Sequence, residues 1–186
     1  MKIHISHDQK EVLKTILLTG GVIALAVAAP NAARLIEPLL KPKRDDAKQI
    51  NYRRLLASLA RQGFVQIEAD TVTLTRDGLG YTQILVSVEE YRVPSKWDGK
   101  WRMVCFDIPE SHKSARRFLR DNLKQLGFWH LQKSVYFFPY DSLSVIQQIV
   151  DHFAIARFVT FGVVESLENS SNLERHFSLR SPHPKP

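Results

Sequence analysis

WRMVCFDIPESHKSARRFLRDNLKQLGFWHLQKSVYFFPYD, residues Trp101 to Asp141, opens on an apolar run, Met103–Ile108, that is rich in β-formers and too short for a typical helix. Pro109 stops the ladder, because it has no N–H to donate. Ser111 is placed to cap a helix in which Ala115, Phe118, Leu119, Asn122, Leu123 and Leu126 share one side. Lys113, Arg116, Arg117, Arg120 and Lys124 fall largely on the other side and form a basic face. Gly127 ends this helix, and Phe128–Tyr140 returns as strand, broken near Lys133. The unit is strand, helix, strand, with the carboxylate of Asp107 where the first strand ends.

FDIPE, the basic helix after it and LGFWHLQKSVYFFPYD resemble the central domain of the phenylacetate-degradation repressors, the PaaX-like family. That domain is in turn similar to the small CRISPR-associated endonuclease that partners the spacer integrase. Gln132, Ser134, Val135 and Tyr136 occupy its Gln-x-Ser-Val-aromatic strand. The resemblance covers roughly the second half of the chain. It implies a ferredoxin-like domain, residues 101–180, that dimerises through its sheet.

The 186 residues suffice for one domain or two small ones, and a hydrophobic fraction of 44% supports a core. A net charge of +7 and a pI near 9.6 favour a polyanion or an anionic membrane over an acidic partner protein. The single cysteine, Cys105, rules out an intramolecular disulfide and lies in the apolar strand, where a buried thiol is the ordinary reading. A reducing cytoplasm fits.

Thr15–Ala33 contains no charged residue and has about the length a bilayer needs. The Gly20-Gly21 pair and the Pro30-Asn31 break interrupt it, and its Ala-rich part is weakly hydrophobic. Two helices buried in a small domain, Gln9–Leu18 and Val22–Ala29, are therefore preferred to a membrane span, and no membrane partner is expected. Pro30 suits the first turn of another helix through Leu40, and Lys41–Lys48 is a loop.

Gln49–Gln62 is an amphipathic helix with Tyr52, Leu55, Leu56 and Leu59 inward and Arg53, Arg54, Ser58 and Arg61 outward. Between Lys41 and Arg61 seven basic residues face two acidic ones, a local excess that suits a polyanion. Gly63 closes the helix, Phe64–Ile67 and Val72–Leu74 form a hairpin, and Thr75 caps a helix from Arg76 to Leu85. This order, and the pattern Gly-Phe-Val…Val-Thr-Leu-Thr-x-x-Gly, resembles the winged-helix family over about Lys10–Leu85. The apolar opening departs from an ordinary winged helix. The expected division is a helical, winged-helix DNA-binding domain at 1–87, a linker at 88–100, the ferredoxin-like domain and a loose tail at 181–186.

A helix can enter the major groove, where Arg53 or Arg54 reaches guanine edges or phosphates. Lys48, Asn51, Ser58, Arg61 and Arg76 complete the candidate DNA-binding set, the cations through phosphate. The plain alternative is a solvated basic helix face. The second basic face, Lys113 to Lys124, is equally read as the outer layer of a two-layer sandwich or as a track for nucleic-acid backbone.

Asp107 is the one plausible catalytic acid by position. The CRISPR endonuclease resemblance implies a divalent-metal ligand there, paired across a dimer, with magnesium or manganese as cofactor only in that case. The plain alternative is a strand-end carboxylate accepting turn hydrogen bonds, as from Ser111. The repressors look alike here and act without nuclease chemistry, which favours the plain alternative. Glu110 and His112 make no metal spacing with it, and the other histidines form no recognisable set. No other cofactor is expected, and no motif identifies an effector ligand.

Helix Ser142–Ile155, with Val145, Ile149 and Phe153 inward, and strand Arg157–Ser166 complete a βαββαβ order; from Leu167 the chain turns polar, with Phe177 and Leu179 placed to dock as a small edge element. Both alternating sets of the first strand, Trp101/Met103/Cys105 and Val104/Phe106/Ile108, are mostly apolar, so the sheet needs cover on both faces. Two helices cover one. A twofold partner or the N-terminal domain is the expected cover of the other. The reading is a cytoplasmic, homodimeric α+β regulator, a repressor on double-stranded DNA. The rival is a metal-dependent endonuclease or adaptation factor using Asp107.

Overall fold

The computed structural model describes residues 5–19, 22–24, 52–68 and 71–179. The expected helix to Leu40, the Lys41–Lys48 loop and the tail after Ser181 lie outside them. The chain divides into two compact units, Ile3–Val86 and Ser87–Pro186. Each is α+β with one antiparallel sheet.

In the first unit α1 (His7–Leu18) starts on a capping box: the Gln9 N–H donates to Ser6 Oγ, and the Ser6 N–H donates to Gln9 Oε1. Its buried side, Val12, Leu13 and Ile16, packs toward α2 (Tyr52–Arg61) and a three-stranded sheet. The sheet order is β1 (Val22–Ala24), β3 (Thr71–Leu74), β2 (Val65–Glu68). Val22–Ala24, expected to open a helix, instead pairs with β3, Val22 opposite Thr73 and Ala24 opposite Thr71. A three-residue segment with two β-branched members takes the geometry its partner offers, so pairing overrides local propensity. Residues 25–29 of that expected helix lie outside the described residues.

The Thr-x-x-Gly pattern has a physical reason. Thr75 Oγ1 accepts from the Gly78 N–H at 3.0 Å, capping α3 (Arg76–Glu90), and donates to the Gly63 carbonyl at 2.6 Å. A Cβ on Gly78 would stand 1.8 Å from the Phe64 carbonyl oxygen, so no side chain fits there. These contacts lock the end of α2 to the start of α3. α3 runs five residues past the expected Leu85, because Val88 on its last turn is also buried.

The second unit follows the order β4 (Trp101–Phe106), α4 (Lys113–Gln125), β5 (Trp129–Gln132), β6 (Val135–Phe138), α5 (Leu143–His152), β7 (Val159–Val164) and α6 (Ser171–His176). The sheet reads β5-β6-β4-β7, all neighbours antiparallel. β4 is interior, with Cys105 opposite Val135 on one side and Thr160 on the other. Cys105 is half-buried rather than enclosed. A 3₁₀ turn, Glu110–His112, precedes α4, and Ser111 does not cap it: its Oγ lies 2.9 Å from His112 Nδ1. Gly127 ends the helix at φ +94°, as an αL cap requires.

Leu119, Leu123, Ile146 and Ile149 of α4 and α5 are fully buried and cover the side of the sheet holding Val104, Phe106 and Tyr136. The chain itself also covers the opposite face. Trp101, Phe137 and Leu173 of α6 form a core there, joined by Trp97, Met103, Trp129, Leu167, Phe177 and Leu179. Neither a twofold partner nor the N-terminal domain is required to bury that face. A segment that reads as polar does it, through the four apolar side chains of Leu167, Leu173, Phe177 and Leu179.

Arg102 is the costly residue of β4. It is 9% exposed in the sheet, and its guanidinium holds both Asp98 oxygens at 2.7 Å while donating to the Lys100 and Pro139 carbonyls. Its Nε finds no partner among the described residues. The expected linker is therefore tied to the sheet at Asp98. It is tied again at Tyr91, whose hydroxyl donates to the Asp141 carbonyl at 2.8 Å. Burial, reinforced by the Asp141 carboxylate, pushes that phenol up to about 12. The hydrogen bonds from Arg102 hold the Asp98 carboxyl down at about 2.

Two expectations follow. Asp98→Asn should destabilise by about 1–2 kcal/mol at pH 7, the low end for a bond to a buried charge, because Asp98 is half exposed. A depressed folded pKa stabilises fully above the ordinary value of 3.8, and that contribution disappears as pH falls through about 2. The urea midpoints of the two proteins should therefore draw together below pH 3.8; a gap independent of pH would refute the pair's role. Leu173→Ala should cost about 2–4 kcal/mol as a core truncation. A change under about 0.5 kcal/mol, the size of an ordinary surface substitution, would mean α6 is not the cover.

Candidate nucleic-acid interface

α2 presents a basic outer face by its construction. Leu59 is fully buried and pins it, Leu55 and Leu56 are half-buried, and Arg53, Arg54 and Arg61 stand exposed. Arg54, Ser58 and Arg61 follow at i, i+4 and i+7 and form one stripe, roughly 10 Å long at 1.5 Å per residue. Ser58 is half-buried and its Oγ accepts from Gln62 Nε2 at 3.2 Å, so it is partly engaged inside the helix. Arg76 is exposed on the first position of α3, so Arg61 and Arg76 flank the Gly63–Thr75 junction. Lys48 and Asn51 lie outside the described residues. The hairpin adds exposed Gln66 and Glu68, joined to each other by a side-chain hydrogen bond that sequence periodicity does not reveal.

The second basic face is assembled as expected on α4, and the structure divides it. Glu110 Oε1 accepts from Lys113 at 2.8 Å and Oε2 from Arg116 at 2.6 Å, which holds the Glu110 carboxyl below the usual range. Arg116 also donates to the Ile108 carbonyl. Arg117 lies 3.7 Å from Asp121. Glu110, near Asp107 in the sequence, thus belongs to the helix face. The i, i+3 and i, i+6 spacings to Lys113 and Arg116 are the signal that points to it.

Asp107 is exposed at the end of β4, and its backbone N–H donates to the Phe158 carbonyl at 2.9 Å. The turn bond from Ser111 does not form: that hydroxyl is engaged with the neighbouring His112 ring. His112 packs its ring on Phe158, 5.4 Å between centroids. Among the described residues no three His, Cys, Asp or Glu side chains gather as a metal site. A divalent ion held by Asp107 would complete its shell with waters, phosphate oxygens or the Asp107 of a second copy.

No helix among the described residues is long and apolar enough to cross a membrane. A comparison with curated proteins finds no match. Residues 94–175 match the family model described as the PaaX protein central Cas2-like domain. That span runs from just before the Asp98–Arg102 pair through β4–β7 into α6, so the match takes in the sheet and, of the C-terminal cover, Leu167 and Leu173. The second unit of this chain is a PaaX-like domain of the Cas2-like type.

Proposed function

We propose that the chain is a DNA-binding transcriptional regulator, acting as a repressor, with a winged helix at residues 1–87 and a ferredoxin-like dimerisation domain at 101–180. The observation that carries this reading is the exposed Arg53, Arg54 and Arg61 on a helix whose far side is pinned by Leu59. The order helix, strand, helix, hairpin, helix and the sheet β1-β3-β2 support a winged helix. The βαββαβ order with sheet β5-β6-β4-β7 supports a ferredoxin-like domain. The match of residues 94–175 to the PaaX central domain supports regulation over catalysis.

In this reading α2 lies in the major groove, Arg53 and Arg54 touch phosphates or guanine edges, and Arg61 and Arg76 hold the backbone. Residues 88–100 join the domains, 181–186 form a tail, and the protein works in the cytoplasm without a cofactor. The homodimer rests on the family resemblance, since the sheet face opposite the helices has its own cover. Light scattering should give near twice the 21.4 kDa chain mass; a monomer at tens of micromolar removes the dimer.

The arginines and Asp107 separate regulator from nuclease. Arg53→Ala/Arg54→Ala should flatten the salt dependence of duplex binding by roughly 0.9 in log–log slope for each phosphate the pair neutralises. A base-reading arginine should instead cost about 1–3 kcal/mol at preferred sequences and little elsewhere. Asp107→Ala should weaken neither. Magnesium- or manganese-dependent cleavage that disappears with Asp107→Ala, with binding untouched by the arginine pair, would replace the regulator with the nuclease.

A further inference from the structure

The exposed side of α4 holds a surface groove of about 320 Å³ lined by Lys113, Arg116, Arg117, Arg120, Asp121 and Lys124. We propose that this groove is a second DNA contact, which grips the phosphate backbone of a duplex without reading its bases. It lies in the PaaX-like unit and does not depend on the winged-helix reading.

Its charge is only partly answered from within. Glu110 holds Lys113 and Arg116, and Asp121 is the one carboxylate in the lining. Arg120 and Lys124 have no ion pair among the described residues, and the Arg117–Asp121 pair at 3.7 Å is loose and exposed. Arg117, Arg120 and Lys124 succeed one another at three and four residues along the helix. Seven residues rise roughly 10 Å, and each strand of a duplex carries a phosphate about every 3.4 Å along the helix axis. A row of cations of that length can lie along a regular row of anions.

The composition of the lining selects among polyanions. Every lining residue is charged. A protein partner would want apolar or aromatic anchors at the centre of its site, and there are none in the lining. A membrane surface would want apolar side chains beside the cations, whereas Ala115, Leu119 and Leu123 of this helix are buried. Three of the five cations are arginines, whose planar fork suits phosphate. No amide for adenine stands in the lining, since Asn122 is buried and donates to the Phe118 carbonyl at 2.8 Å.

The test uses the full chain and a duplex of random sequence across a salt series. Arg117→Gln/Arg120→Gln/Lys124→Gln should lower the log–log salt slope by roughly 2–3, about 0.9 for each phosphate no longer neutralised. Arg117→Lys/Arg120→Lys should keep it. An unchanged slope in the triple variant overturns this proposal, and a slope that falls only in Arg53→Ala/Arg54→Ala leaves the winged-helix reading standing alone. A slope that falls only in the triple variant does the reverse. Should the triple variant melt early, amine acylation of the native chain decides. Duplex should shield Lys113 and Lys124 at low salt and release them at high salt. Equal labelling with and without duplex, or shielding by anionic phospholipid vesicles in its place, overturns the proposal.

Discussion

β4 is apolar on both of its faces and sits inside the sheet, and the second unit is arranged to satisfy that one strand. Trp101 and Met103 look one way, Val104 and Phe106 the other. A strand of this kind cannot leave either face in water without forgoing roughly 25 cal/mol for each Å² of apolar surface. Helices α4 and α5 answer on one side, and α6 with Trp97, Phe177 and Leu179 on the other. Arg102 then brings a guanidinium into the same strand, and a buried cation is tolerated only when paired and hydrogen-bonded. Asp98, Lys100 and Pro139 supply that pairing, which orders the segment just ahead of the strand against it.

What can be read from the sequence follows from how local each signal is. The elements from Trp101 to Val164 are legible because periodicity, Pro109 and Gly127 mark them within a few residues of where they act. The cover by α6 is legible only in part: Phe177 and Leu179 mark a docking element, but Leu167 and Leu173 are scattered among polar residues over a segment too short for a period. The need for cover is visible; its source is visible only in part. β1 escapes the sequence for a related reason: Val22–Ala24 is a strand through its partner β3, and three residues are too few to carry a pattern of their own. Ser111 has the residue type of a cap, but the intervening 3₁₀ turn moves the start of α4 to Lys113, beyond its reach.

The basic residues show a similar division. Which of them point outward follows from the buried side of each helix, so Arg53, Arg54 and the Lys113–Lys124 face are found by counting. Which of them are available to a partner does not follow. Glu110 lies before α4 and reaches forward by three and six residues to Lys113 and Arg116, leaving the C-terminal half of the face the more open. Sequence alone weighs all five equally. The pairs settle which half carries unanswered charge, and that inequality is what gives the groove a direction.

A packing requirement thus places the charges in both units. Leu59 in α2 and Leu119 with Leu123 in α4 are each fully buried, so neither helix is free to turn about its axis. A phosphate contact made by a long, flexible side chain gains from a backbone that does not move, since binding then costs only the side chain's own freedom. The outward arginines of both helices thus stand on fixed axes. Removing the buried leucines would scatter them before it removed a single charge. The basic faces are in that sense a consequence of the cores beneath them, and their geometry is only as well defined as the packing of Leu59, Leu119 and Leu123.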